Sequence, residues 1–219
     1  MQTTIESRNR IKAGSLRQGD AAARLGAYAL LRTLNADSLS HDSATLTLER
    51  WCEARGLASP ARIVAERLHR PHVEPSVEQR QLLGASASDP IRYRRVRLRC
   101  GDRVMSDADN WYVPARLTAA MNHELDTTDT AFGRVVRSLN FRRQTLSSRL
   151  LWSPFLPVIP PHVLEHHAVL TLPDGTPFSL LVETYTREAL ARPAPRRPGT
   201  VGASPATAAR GTESLARVA

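Results

Sequence analysis

The residue pattern predicts an α+β fold, an antiparallel sheet with flanking helices. Two helical stripes come first, runs with two-residue alternation follow, and turn signals of the hairpin kind join those runs. That order, helices and then hairpin-connected strands, is what the prediction rests on.

In chain order, residues 1–18 are polar and aperiodic, and a loosely ordered N-terminus is expected there. Ala27, Leu30, Leu31 and Leu34 recur at helical spacing and mark a core-facing helix. Asp42-Ser43 supplies the cap of a second helix, with Leu48, Trp51 and Cys52 on one face and Gly56 as its stop. Arg62 to Leu68 reads as a strand and Pro71 to Pro90 as a loop-rich connection. Ile91 to Cys100 alternates, with Val96, Leu98 and Cys100 on one face and Tyr93, Arg95, Arg97 and Arg99 on the other. Gly101-Asp102 turns the chain into a strand from Arg103 to Val113. Pro114 then opens a helix in which Leu117, Ala120 and Met121 share a face, and Thr127 to Gly133 is a loop into a short amphipathic segment. Phe141 to Trp152, Val163 to Leu172 and Phe178 to Thr186 are three further strands. Pro173-Asp174-Gly175-Thr176 is the hairpin turn between the last two. Residues 191–219 are rich in Ala, Pro and Arg, and a disordered tail is expected after a single domain spanning 19–190.

Composition narrows the function classes. The formal net charge is +9, but residues 190–219 carry +4 of it and residues 1–20 carry +2, so the body keeps only +3. Lys12 is the sole lysine, and stacking aromatics are sparse, so no nucleic-acid partner is expected. Cys52 and Cys100 each lie in an apolar run, where reduced buried thiols in a reducing compartment are the expectation. The apolar stretch Leu25 to Leu31 is bracketed by Arg24 and Arg32 and is too short for a secretory signal or a membrane span. A cytoplasmic monomer is the resulting expectation.

The chemistry-bearing patterns are few. G-x-S-x-G, Walker and G-x-G-x-x-G motifs do not occur. His162-Val163-Leu164-Glu165-His166 matches H-x-x-E-H, yet Pro160-Pro161 ahead of it and the alternating run behind it make it a strand entry, where the two histidines cannot grip one ion, so no metal is expected. Arg95 is the sharper candidate, since a guanidinium fork facing a closed site holds a carboxylate by two parallel hydrogen bonds. A solvated Arg-rich strand face is its plain alternative. Glu183 is a lone acid among apolar strand residues, either functional or salt-bridged across strands to an Arg. Backbone N–H groups of Phe132-Gly133 could face an oxyanion, and a plain Gly turn accounts for them equally.

Arg95 with the following V-R-L-R-C-G-D, the strand end A-x-N-W-Y-V-P from Ala108, T-x-F-G-R from Thr130 and L-L-V-E-T from Leu180 resemble the chorismate lyase family in order and spacing. Asp42-Ser43-Ala44-Thr45 is similar to that family's D-S-M-T segment. The likeness covers about residues 25–188. It implies a sheet enclosing a small internal site and a cofactor-free conversion of chorismate to 4-hydroxybenzoate and pyruvate, the entry to ubiquinone synthesis. Carried over residue by residue, the family's carboxylate-binding Arg falls on Arg95, its substrate-contacting Glu on Glu183 and its loop donor on Phe132, beside Gly133. Two positions depart from the pattern. Asp109-Asn110 replace the family's Gly-Arg, losing a cation and adding an acid, and Ala44 stands where a Met covers the ligand.

Three readings follow. The first is a chorismate lyase, with Arg95 anchoring the ring carboxylate, Glu183 assisting proton movement, and Phe132, Gly133, Ala44 and Asn110 lining the substrate site. The second is a non-catalytic small-molecule-binding module of the same fold, of the kind that senses effectors in transcription regulators. A helix-turn-helix is expected ahead of such a module, and the residues before the second helix are too few to hold one. The third is a diverged enzyme acting on another cyclic or aromatic acid. In all three the partner is a small carboxylate.

Overall fold

The computed structural model describes residues 3–68 and 72–191, with side chains from residue 20 onward. Its helices are α1 (Thr3–Leu39), α2 (Ala44–Ala54), α3 (Val77–Leu82), α4 (Ala119–Thr127) and α5 (Phe132–Val135). Its strands are β1 (Ile63–Arg67), β2 (Arg92–Cys100), β3 (Arg103–Tyr112), β4 (Arg142–Leu150), β5 (His162–Thr171) and β6 (Pro177–Thr186). The six strands form one sheet in the order β1-β2-β3-β6-β5-β4. Every neighbouring pair is antiparallel, so the predicted α+β class holds.

Local chemistry accounts for most boundaries. Ser43 caps α2 by accepting from the Leu46 N–H, and Gly56 takes a φ of 57° just past the helix end, a conformation that side chains with a Cβ resist. At the β5–β6 turn Gly175 takes a φ of 88°, which lets Leu172 N–H donate to the Thr176 carbonyl at 2.8 Å. Leu31 and Leu34 of α1 and Leu48, Trp51 and Cys52 of α2 pack with Val96, Leu98 and Tyr185 in one core cluster. A second cluster joins Met121 and Leu125 of α4 to Phe132, Phe141, Leu170, Phe178 and Leu181. A third packs Leu83, Trp111, Val169 and Leu180 on the opposite face of the sheet, beside α3.

Several expectations change. Within the expected loop Pro71 to Pro90, Ser76 and Gln79 form a reciprocal capping box that starts α3, a signature that was there to be read. Pro114 opens only a 3-10 turn, Pro114–Arg116, because Leu117 returns to extended backbone and Thr118 caps α4 separately. Ala120 is accordingly exposed, while Met121 and Leu125 carry the buried side of α4. Helix α1 takes in most of the stretch 1–18 expected to be loose. Cys52 and Cys100 are not free thiols: they form a disulfide tying α2 to β2, with Cα atoms 6.7 Å apart. Their argument for a reducing compartment therefore lapses. Among the described residues no helix is long and apolar enough to cross a membrane. The expected tail lies, from residue 192 on, outside the described residues, as does Pro71.

Candidate functional site

In an antiparallel sheet directly paired residues project to the same side, so the register sorts the strands into two faces. One row runs Val96, Ala108, Glu183, His166, and the next runs Arg94, Asn110, Leu181, Ala168. A third ends on Leu170 and Arg143. Over these rows α2 and α5 close a cavity of about 490 Å³, its open mouth included. Its apolar walls come from both core clusters, with Val96, Leu98 and Ala108 on one side and Phe132, Phe141, Leu170 and Leu181 on the other. The cavity occupies the seam between them.

Polar groups enter this apolar space at defined points. Arg143 Nη2 donates to Glu183 Oε2 at 2.6 Å, and the two side chains are only 3% and 5% exposed. Burial works against the charge on Arg143, yet Glu183 and its neighbours raise its pKa overall. Arg94, 7% exposed, has no carboxylate within ion-pairing distance among the described residues. Its Nη2 donates to the Thr130 carbonyl at 3.1 Å, while Nε and Nη1 have no hydrogen-bond partner there. Burial, with Arg67 nearby, pushes the Arg94 pKa down to about 10. Asn110 Oδ1 accepts from Ser179 Oγ at 2.7 Å, which leaves its amide nitrogen unpartnered, and Arg143 Nε is unpartnered too. Asp42 lies at the mouth, exposed, its carboxylate accepting from the Arg143 N–H at 2.8 Å. At Gly133 α5 lies close against the start of α2: a Cβ there would lie 3.1 Å from Ser43 Oγ and 3.3 Å from Thr45 Oγ1. Behind Glu183, the buried His166 meets Asn35 Oδ1 of α1 at 2.7 Å through Nε2 and stacks edge-on against Tyr185.

Across 194 aligned residues the chain is 55% identical to the uncharacterized protein y4mC of Sinorhizobium fredii strain NGR234, covering 81% of this chain and 82% of that protein. The chain belongs to the y4mC family. No family model matches it. Among solved structures it shares its fold with PhnF from Mycobacterium smegmatis, at 12% identity and a TM-score of 0.50, over 73% of this chain and 70% of PhnF. The effector domain of PhnF aligns at 13% identity and a TM-score of 0.47, over 66% and 88%. Against the possible transcriptional regulator YydK from Bacillus subtilis, at 13% identity and a TM-score of 0.41, the chain spans 62% of that protein's length and 62% of its own.

Of the residues singled out from the sequence of this y4mC relative, Glu183, Phe132, Gly133, Ala44 and Asn110 all line the one cavity. Arg95 does not. It projects to the other face, half-buried, where Nη1 meets Asp109 Oδ1 at 3.2 Å and Tyr93 donates to the same carboxylate. Asp109 therefore adds no acid to the cavity. The guanidiniums that line it, Arg94 and Arg143, were missed. Arg94 was legible, because it has the same alternation parity as Val96 and Leu98. Arg143 was visible only as the second residue after Phe141 in an Arg-rich edge strand. His162 and His166 do not converge: the first reaches Asp107 on the outer face, and the second is buried against α1.

Proposed function

We propose that this domain binds a small cyclic or aromatic carboxylic acid in the cavity under α2 and α5, as a sensing module. The observation that carries the reading is the surplus of buried donors in an otherwise apolar space. Arg94 Nε and Nη1, Asn110 Nδ2 and Arg143 Nε all lack partners among the described residues. An unmatched buried donor costs about 1–3 kcal/mol, so a ligand that supplies oxygen acceptors recovers that cost on binding. Arg94 presents a cation with no carboxylate of its own, and the fork geometry favours a planar carboxylate. Phe132, Phe141, Leu170 and Leu181 suit the ring.

The tie between Arg143 and Glu183 favours binding over turnover. A carboxylate held by a buried guanidinium at 2.6 Å is committed as an acceptor, and proton movement through it requires breaking that pair. The names of the solved relatives, an effector domain and a possible transcriptional regulator, agree with a sensing role. A chorismate-lyase reading stands second, on the observation that Glu183 and Phe132 line one cavity as the resemblance implies. Aromatisation supplies the driving force in that reaction, so orientation of the substrate is most of what a protein must add.

Calorimetric titration with benzoate and 4-hydroxybenzoate, against benzamide as the neutral control, tests the binding reading. The acids should bind and the amide should not. Arg94→Gln should weaken the acids by about tenfold or more, since a charged hydrogen bond contributes roughly 1.5–3 kcal/mol. Arg95→Gln should change them by less than about twofold, as expected of an outer-face pair. Equal losses in the two variants, or equal binding of the amide, would overturn the assignment. Incubation with chorismate, followed for 4-hydroxybenzoate and pyruvate, decides the second reading.

A further inference from the structure

Arg94 also lines a second space. Beside the cavity, a cleft of about 400 Å³ including its open side lies between the end of β1, the start of β2 and the C-terminal turn of α4. Arg67, Arg92 and Arg94 all line it, and Asp126 is the acid among its lining residues. Arg92 Nη1 meets Asp126 Oδ2 at 2.7 Å, while Arg67 donates to the backbone carbonyl of Asp126 and not to its carboxylate. Among the described residues neither Arg67 nor Arg94 has a carboxylate within ion-pairing distance, and three guanidiniums line the cleft with one carboxylate. Gathering like charges around one concavity costs Coulomb energy that solvent only partly screens, and the arrangement is relieved by an anion placed among them. Burial is the main cause of the lowered Arg94 pKa, and the like charge of Arg67 adds to it. Tyr112, which is buried, also lines the cleft.

We propose that this cleft is a second anion site, holding a small oxyanion between Arg67 and Arg92 with Arg94 behind it, in a space separate from the cavity that holds the acid. The shared chemistry is that of a carboxylate or phosphate oxygen edge. The geometry does not require the two spaces to hold one molecule.

Thermal unfolding of the full chain, titrated with inorganic phosphate and with acetate at constant ionic strength held by chloride, tests it. A saturable rise in Tm with phosphate, acetate or both, and none with chloride, is expected, and the stronger of the two identifies the source. Arg67→Ala and Arg92→Ala should each weaken that response by about tenfold, the worth of one charge-assisted contact. Arg137→Ala removes an exposed cation elsewhere and should leave it unchanged. Asp126→Asn removes the internal competitor and should tighten the anion several-fold, a gain that no destabilised variant mimics. Benzoate binding measured in Arg67→Ala keeps the two sites apart: its persistence alongside a lost phosphate response fits two sites. A parent with no saturable response, or losses in Arg137→Ala equal to those in Arg67→Ala, would overturn the proposal whatever the cavity binds.

Discussion

The two faces of the sheet use the same residue types to opposite ends. On the cavity face Arg143 and Glu183 are enclosed, 3% and 5% exposed, with donors around them left unpartnered. On the outer face Arg95–Asp109, Arg97–Asp107 and Arg149–Glu165 repeat the same pairing in partial contact with water, Arg149 being 67% exposed. A one-residue step along β2, from Arg94 to Arg95, separates these two worlds. Burial, not residue identity, decides whether a charge here is locked into the core or merely decorates a surface.

The largest expected effect breaks the comparison at its buried end. Glu183→Ala strands Arg143 without a counter-ion at a side-chain exposure of 3%, and removing one partner of a buried pair costs about 3–5 kcal/mol. Asp109→Ala removes the same kind of acid from the outer face and should cost no more than about 1 kcal/mol. Urea unfolding of both variants at neutral pH measures the difference. Comparable losses would mean that water reaches the Arg143–Glu183 pair as freely as it reaches Arg95.

A second prediction uses pH. Burial pushes the His166 pKa from 6.5 down to about 4, with Glu183 opposing that shift and Arg143 adding to it. The unfolded chain therefore takes up a proton below about pH 6.5 that the folded chain refuses until about pH 4. Stability from this group is complete above the upper value and is lost as pH falls toward the lower one. Between pH 7 and pH 5 the loss amounts to about 2 kcal/mol. His166→Gln keeps a donor for Asn35 and does not titrate, so the fall in unfolding free energy over that interval should shrink by the same amount. An unchanged pH dependence would place His166 in contact with solvent.

What was legible in the sequence follows from the range of the forces involved. Alternation and hairpin signals are local, and they located all six strands to within a few residues, from β1 at Ile63–Arg67 to β6 at Pro177–Thr186. The pattern also singled out Glu183, Phe132 and Gly133, which line one cavity, because each sits at a distinctive point of its own element. Arg95 failed for a different reason. It was weighed as a strand-borne cation and then matched by resemblance, although its own parity set it with Tyr93, Arg97 and Arg99, away from the apolar face. Arg143 could not be found locally at all, since its burial depends on Asp42, α2 and β6 closing over an edge strand. The disulfide between Cys52 and Cys100 is likewise a long-range fact, 48 residues apart in sequence.

The smallest effect sharpens the other end of the comparison. Arg97, 44% exposed, meets Asp107 at 3.4 Å, and Asp107 also has His162 within 3.3 Å. Losing Arg97 therefore leaves Asp107 with a second partner. Exposed pairs of this kind contribute roughly 0.2–1 kcal/mol. Arg97→Ala should lower the unfolding free energy by no more than about 0.5 kcal/mol, and moderate salt should erase the difference, because screening acts on charges in water and not on enclosed ones. Urea unfolding at low and at moderate salt measures it. A salt-insensitive loss above about 1 kcal/mol would show that the outer face is covered in solution, and Arg97 would then rank with Arg143 among the buried cations.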